Sequence, residues 1–191
     1  MNWISANDLN DGMGGNSVFS RSSEKKPTIA YTKKAKEREL VMVIDSKEDE
    51  RLVTKIEQRM RALCLKPEEK IRRAEMNLFD VQFVIKDDPN NTNFGPCFER
   101  KTASDLASSI KDGRYTEQKR RMQLIENMPA TNKVYIYEGN LIAKWYGVDP
   151  KALLNASLLP PMRNEAEIQM TQNMDATADI LVEWLLYLEH L

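Results

Sequence analysis

Residues 98–122 read FERKTASDLASSIKDGRYTEQKRRM, and they begin in a segment, residues 97–101, that favours a short β-strand. Side chains alternate between the two faces of a strand, so Glu99 and Lys101 are expected to project to one side and Arg100 to the other. A carboxylate and an ammonium group would therefore share one surface of a sheet.

Two helices are predicted after this strand. Ser104 is placed to cap the first helix, which carries Leu106 and Ile110 and which Gly113 ends. The second helix is predicted over residues 115–127, because apolar positions recur at helical spacing until Pro129 follows.

The flanking segments add further strands and helices. Residues 40–45 form an apolar run typical of a buried strand, residues 48–63 an amphipathic helix, and residues 78–86 a strand expected to pair antiparallel with residues 97–101. Another strand is predicted near residues 133–137, and the last helix over residues 176–191. Strands that alternate with helices predict an α/β domain with a mixed sheet.

The composition excludes several classes of protein. The 191 residues include 28 Lys and Arg against 29 Asp and Glu, so the chain is not one that coats nucleic acid by net charge alone. Two cysteines and a single histidine, His190, lack the spacing of a zinc site or a histidine-based triad. No run approaches the ~18 apolar residues of a membrane span, and we expect an intracellular protein with reduced thiols.

Residues 1–38 are polar and lack an apolar period, so we interpret them as a disordered tail before a single domain at residues 39–191. The basic cluster at residues 33–38 is compatible with a nuclear address or a phosphate contact, although a solvated linker is the preferred interpretation. Trp145 and Trp184 are interpreted as core residues rather than as a base-stacking platform.

Glu-x-Lys on a strand suits phosphodiester hydrolysis. That reaction needs a divalent cation on carboxylate oxygens and a positive group that orients water and offsets charge on the phosphate. The triplet alone is weak evidence, because charge pairs are common on strand surfaces.

The longer string closely resembles the signature of the XPF-type structure-specific nucleases, including the crossover-junction endonuclease branch. Their hallmark is Gly-Asp, a variable gap, Glu-Arg-Lys, three residues and Asp, and here Glu99, Arg100, Lys101 and Asp105 stand at that spacing. The resemblance extends upstream to Asp45 and Glu48. Downstream it takes in a strand-like segment and four positions near the end of the chain, namely residues 134–139, Thr171, Thr177, Ala178 and Leu181.

Two features depart from the family pattern. Strict alignment of the second strand places Val81-Gln82-Phe83 where the family has Gly-Asp-Phe, and an amide is a poor metal ligand. Asp80 lies two residues earlier on the same face, and we favour it as the ligand. The chain also stops at Leu191, where many relatives add paired helix-hairpin-helix motifs.

The resemblance implies a restriction-endonuclease-like nuclease domain with a central mixed sheet flanked by helices. It implies a catalytic group of Glu99, Arg100, Lys101, Asp105, Asp45 and Glu48, with Mg²⁺ or Mn²⁺ held by Asp80 and Glu99. Arg114, Gln118 and Lys119 would contact DNA, although each suits an ordinary surface position, and Asp105 also suits a helix terminus.

The expected substrate is branched DNA, and the expected assembly is a homo- or heterodimer without membrane contact. The apolar stripe Ile180, Leu181, Trp184, Leu185 and Leu188 either forms the interface or simply covers the sheet. The family also contains catalytically silent DNA-binding subunits, and the missing Gly-Asp favours that alternative. The intact Glu-Arg-Lys triplet and Asp105 favour an enzyme that acts in the nucleus or at sites of DNA replication and repair.

Overall fold

Helices and strands alternate along the chain, as the α/β prediction requires. A computed structural model describes residues 39–125 and 128–191 of the protein. Its elements are β1 (Leu40–Asp45), α1 (Glu50–Ala62), α2 (Pro67–Lys70), β2 (Ile71–Ala74), β3 (Val81–Ile85), β4 (Cys97–Thr102), α3 (Ala103–Lys111), α4 (Arg114–Gln123), a 3₁₀ turn (Ala130–Asn132), β5 (Lys133–Glu138), α5 (Pro150–Met162), β6 (Glu167–Thr171) and α6 (Met174–Glu189). The predicted tail at residues 1–38 and the predicted end of the second helix at residue 127 lie outside the described residues.

The strands form one mixed sheet in the spatial order β2-β1-β3-β4-β5-β6. Strand β3 pairs antiparallel with both β1 and β4, whereas the β1–β2, β4–β5 and β5–β6 pairs are parallel. The predicted mixed sheet and the antiparallel pairing of residues 78–86 with residues 97–101 are confirmed. Strands β2 and β6 form the two edges.

One face of the sheet packs against α1 and α6 and holds the larger core. Phe83 and Phe98 are fully buried there, with their rings edge to face at 5.9 Å between centroids. The helices contribute Leu52, Ile56 and Leu185, which are also fully buried. Each such side chain stabilises the fold by roughly 1.5–3 kcal/mol.

The opposite face carries helices only over part of its area. Leu106 of α3 and Leu153 of α5 are buried with Tyr135 and Tyr137 of β5, whose rings stack at 5.6 Å. Beside these helices, near the end of β1, residues 76–80 form one wall of a cavity. This incomplete cover gives solvent access to one patch of the sheet.

The first helix after β4 begins earlier than predicted. Thr102, and not Ser104, is its N-cap, since the Thr102 hydroxyl accepts the N–H of Asp105 at 3.0 Å. Gly113 adopts a φ of 75° between α3 and α4, so the predicted break is confirmed. None of the helices in residues 39–125 and 128–191 has the length and apolar character needed to cross a membrane.

Candidate active site

Three carboxylates lie side by side on the incompletely covered face. The register of β3 against its two neighbours puts Asp80 beside Asp45 on one side and beside Glu99 on the other. The backbone N–H of Asp45 donates to the carbonyl of Asp80 at 2.8 Å, which ties the end of β1 to the start of β3. All three residues line a cavity of about 140 Å³.

The residue before Asp80 explains why strict alignment is misleading. Phe79 has a φ of 65°, the left-handed region that glycine occupies without cost. Phe79-Asp80 therefore has, at its first residue, the backbone conformation that a Gly-Asp pair would adopt without strain. Gln82 lies two residues beyond Asp80 and pairs with Val43, and it does not line the cavity. The geometry therefore favours Asp80 over Gln82 as the predicted metal ligand.

Asp80 is held in place by hydrogen bonds to the backbone of β4. Its Oδ2 accepts the N–H of Arg100 at 2.7 Å, and its own N–H donates to the carbonyl of Phe98 at 2.7 Å. Burial, reinforced by the neighbouring carboxylates of Glu99 and Glu48, raises the pKa of Asp80 to about 8. Burial likewise raises the pKa of Glu99, against the opposing charges of Lys101 and Arg121.

This shift predicts how stability depends on pH in the absence of divalent metal. Asp80 titrates near 3.9 when unfolded and at about 8 when folded, so the folded chain binds more protons between those values. Stability should therefore fall as pH rises through that window. The melting temperature of the wild type should drop relative to that of Asp80→Asn by about 5 °C or more between about pH 6 and pH 8. The prediction would be contradicted if, in a chelating buffer, the melting temperatures of the wild type and of Asp80→Asn changed by the same amount between about pH 6 and pH 8.

Lys101 lies on the same face of the sheet, two residues beyond Glu99. Its side chain is buried, and Nζ donates to Oε1 of Gln118 at 2.6 Å. Burial lowers the pKa of Lys101, while the charges of Glu99 and Asp80 act in the opposite direction. A partly desolvated amine beside carboxylates is suited to hold a proton or to transfer one.

Arg100 points to the opposite face, as the strand alternation predicts. Its guanidinium donates to both oxygens of Glu138, at 2.9 and 2.7 Å, and to Oε1 of Glu48 at 3.0 Å. The Thr177 hydroxyl completes the network with a 2.7 Å bond to Glu138. Glu48 is thus bound to Arg100 and does not line the cavity, but its charge helps to raise the pKa of both Asp80 and Glu99.

Asp105 lies at the start of α3 and is exposed. Its Oδ2 accepts the Thr102 hydroxyl at 2.6 Å, so the residue forms part of the helix cap. Its charge also raises the pKa of Lys101, which places it within electrostatic reach of the candidate site.

The predicted DNA contacts on α4 separate into two groups. Gln118 lines the cavity. Arg114 is exposed and forms an ion pair with Asp112 at 3.0 Å. Lys119 instead pairs with Glu165 at 2.7 Å, with only 16% of its side chain exposed. Arg121, which the sequence analysis did not select, lines the cavity; its spacing of three residues from Gln118 was a usable signal, because such residues share a helix face.

The sequence was also compared with known families. A sequence model of the ERCC4 domain matches residues 44–183. The chain belongs to the ERCC4 domain family. The resemblance to XPF-type nucleases is therefore confirmed, whereas no curated protein sequence matches the chain.

Two solved structures share the fold of this ERCC4 domain. XPF from Aeropyrum pernix is 22% identical with a TM-score of 0.56, over 77% of this chain and 60% of that chain. The same protein in complex with DNA is 21% identical with a TM-score of 0.53, over 77% and 63% of the two chains. The ERCC4 chain thus spans about three fifths of the length of these relatives, and the likeness establishes the fold.

Proposed function

We propose that this ERCC4-domain chain is a structure-specific DNA endonuclease that hydrolyses phosphodiester bonds in flaps, forks or nicked junctions. The observation that carries the proposal is the row of Asp45, Asp80 and Glu99 on the face that also holds Lys101. The solved complex of a related XPF with DNA supports the choice of substrate. Such an enzyme would serve DNA repair or recombination, in the nucleus or at sites of DNA replication.

A single Mg²⁺ or Mn²⁺ fits the residues present. Within residues 39–125 and 128–191, no group of three or more His, Cys, Asp or Glu side chains is placed to hold a metal ion. Mg²⁺ does not need such a group, because it keeps several waters and commonly binds through one or two carboxylates together with substrate phosphates. Asp80 and Glu99 are two adjacent, partly buried carboxyl groups whose pKa values are raised, and a cation between them would favour their charged forms. When bound, the ion supplies positive charge that stabilises the scissile phosphate in the transition state.

The other side chains would supply orientation and proton transfer. Glu99 and Asp80 would hold the ion with help from a backbone carbonyl near Arg100, and Asp45 would add negative charge to the cavity. Lys101 orients the attacking water and exchanges a proton with it, since burial favours its neutral form. Gln118 fixes the position of Lys101 through the 2.6 Å hydrogen bond.

DNA would approach over α4. Arg121 lines the acidic cavity and Arg114 is exposed nearby, so both suit contacts with phosphates that flank the cut. Lys119 would have to leave Glu165 to reach DNA, and we assign it the weakest contribution.

Gel analysis of labelled DNA tests this function. The full chain should incise 5′-labelled flap and fork substrates near the branch in Mg²⁺ or Mn²⁺. A linear duplex of the same sequence should remain uncut, and a chelator should stop the reaction. Equal cutting of duplex and branched DNA would contradict structure specificity.

A catalytically silent DNA-binding or dimerisation subunit is the second candidate. The observation that favours it is Phe79 in place of the family glycine, next to the proposed ligand Asp80. Under this alternative, branched DNA binds without incision in either metal. Intact Glu99, Lys101 and Asp105 favour the enzyme.

We further propose that the chain dimerises through α6 and β6. Leu181, Leu185 and Leu188 are buried in the core, so most of the predicted stripe covers the sheet. The remaining Ile180 and Trp184 line an apolar groove, together with Gln169, Glu183 and Tyr187, next to the unpaired edge of β6. Exposed apolar grooves beside an edge strand commonly mark interfaces.

A charge in this groove should weaken the dimer. Ile180→Asp is expected to shift the mass measured by light scattering from dimer to monomer at tens of micromolar, because a buried unpaired carboxylate opposes association. Met162→Asp is the matched control, since Met162 is 79% exposed and lies outside the groove. A wild-type chain that is monomeric and copurifies with no partner would contradict the proposal.

A further inference from the structure

A second pocket lies at the carboxyl ends of β4, β5 and β6. It has a volume of about 280 Å³, and its lining includes Thr102, Ser104, Glu138, Trp145, Asn173 and Met174. One wall is thus an indole ring, while hydroxyl, amide and carboxylate groups form other parts of the lining. Such a combination of one flat apolar wall and several hydrogen-bonding groups suits a planar, polar ligand.

This pocket adjoins the candidate active site. Thr102 directly follows Lys101 on β4, and its hydroxyl bonds to Asp105 at 2.6 Å. Glu138, which lines the pocket, accepts a hydrogen bond from the guanidinium of Arg100. A ligand in the pocket would therefore contact the same strand end that presents Lys101 to the substrate.

The turn that supplies the indole wall has an unusual tip. The N–H of Val148 donates to the carbonyl of Trp145 at 2.8 Å, and both residues between them have positive φ, 50° at Tyr146 and 79° at Gly147. Such type I′ turns favour Asn-Gly, and a bulky aromatic residue in the left-handed region is strained. Tyr146 is nevertheless 63% exposed, so no burial in the described domain offsets the strain. Strain retained at an exposed ring indicates a functional role.

A positively charged residue directly precedes the two aromatic residues in the chain. Lys144 is exposed and forms no ion pair with any residue in the described part of the chain. The indole N–H of Trp145 donates to the carbonyl of Asn140 at 2.9 Å. The half-buried ring packs against the core beneath α3 and α5, as predicted, and also lines the pocket. The segment thus combines two aromatic side chains with a free cation, the elements that bind unpaired nucleic acid.

We propose that the pocket and the turn at residues 144–148 form a subsite for unpaired DNA nucleotides. One base enters the pocket against Trp145, a neighbouring base stacks on Tyr146, and Lys144 pairs with the intervening phosphate. The inference rests on the proposed function and deepens it, because branched DNA offers unpaired bases next to the cut. Base faces in an intact duplex are stacked on each other and cannot enter, so the subsite would select branched over linear DNA.

Binding to single-stranded DNA tests the subsite without any cleavage. The probe is a fluorescein-labelled oligothymidylate of about ten nucleotides, followed by anisotropy in a chelating buffer. Tyr146→Asn and Trp145→Leu should each weaken binding about tenfold, and Lys144→Gln less. Tyr146→Asn should also raise the melting temperature by about 2–4 °C, since it relieves the strain. Ile142→Ala is the matched control, because Ile142 is exposed on the same segment but has no aromatic face.

The outcomes separate this inference from the proposed function. If Tyr146→Asn and Trp145→Leu bind the oligothymidylate as tightly as the wild type, the subsite is wrong, whether or not the chain cuts branched DNA. If binding depends on both aromatic residues while the wild type cuts nothing, the subsite stands and the nuclease proposal fails. Loss of binding in Ile142→Ala equal to that in Tyr146→Asn would contradict recognition by stacking.

Discussion

Asp80→Asn is expected to reduce Mg²⁺-dependent incision of a fork substrate about a hundredfold or more. The change keeps the shape of the side chain but removes the charge that would hold the ion beside Glu99, and loss of such a contact costs on the order of 3 kcal/mol in the transition state. Single-turnover rates on a labelled fork, resolved on a denaturing gel, give the measurement.

Gln82 provides the matched control for Asp80. It lies two residues further along the same strand face and outside the cavity lining, so Gln82→Ala should change the rate less than about threefold. If Gln82→Ala lost most of the incision rate and Asp80→Asn lost little, Asp80 would not be the metal ligand. An inactive wild type that Gln82→Asp restores would support the silent subunit.

Arg100→Ala is expected to destabilise the domain by about 3–5 kcal/mol, which corresponds to a fall in melting temperature of roughly 10 °C or more. The guanidinium is only 8% exposed and binds Glu48 and Glu138, which are about equally buried. Its removal leaves two carboxylates in the interior without their counter-charge. Thermal unfolding followed by circular dichroism gives the measurement.

Arg120→Ala controls for the loss of an arginine in general. Arg120 pairs with Glu117 at 3.0 Å, but both side chains are more than half exposed, so the change should leave the melting temperature nearly unchanged. Similar melting temperatures for the two variants would contradict the structural role of the buried network.

Periodicity predicted the elements that are long or strongly apolar, and it missed those defined by distant contacts. Strand β1 is a continuous apolar run whose observed bounds match the prediction. Strand β2 reads IRRA and β6 reads EIQMT, and such short, polar edge strands are recognisable only from the neighbour that pairs with them. Their absence from the prediction reflects tertiary pairing that local sequence does not encode.

Helix α5 was not predicted, and it contains Pro160 and Pro161, residues that disfavour a helix interior. Both prolines lie in its last turn, where each lacks the N–H that would bond the carbonyl four residues earlier. The carbonyl of Ala156, which a residue other than proline at position 160 would bond, accepts the Tyr115 hydroxyl at 2.8 Å instead. A partner 41 residues away in sequence thus stabilises an arrangement that local rules disfavour.

The candidate site was predictable to the extent that it follows strand alternation. Glu99 and Lys101 share a face with Asp80, while Arg100 faces the opposite core, as the period of two requires. The position of Asp80 was ambiguous because a phenylalanine adopts the conformation expected of glycine at residue 79. Glu138 was not selected as a partner of Arg100, since the two residues lie 38 positions apart and meet only through the β4–β5 register.

The most direct test of the proposed activity is the single-turnover rate on a labelled fork for the wild type, Glu99→Gln and Lys101→Ala in saturating Mg²⁺. We expect incision near the branch by the wild type and a loss of about a hundredfold or more in each variant, with melting temperatures that show both variants to be folded. Incision that survives in both folded variants would contradict the assignment of the active site.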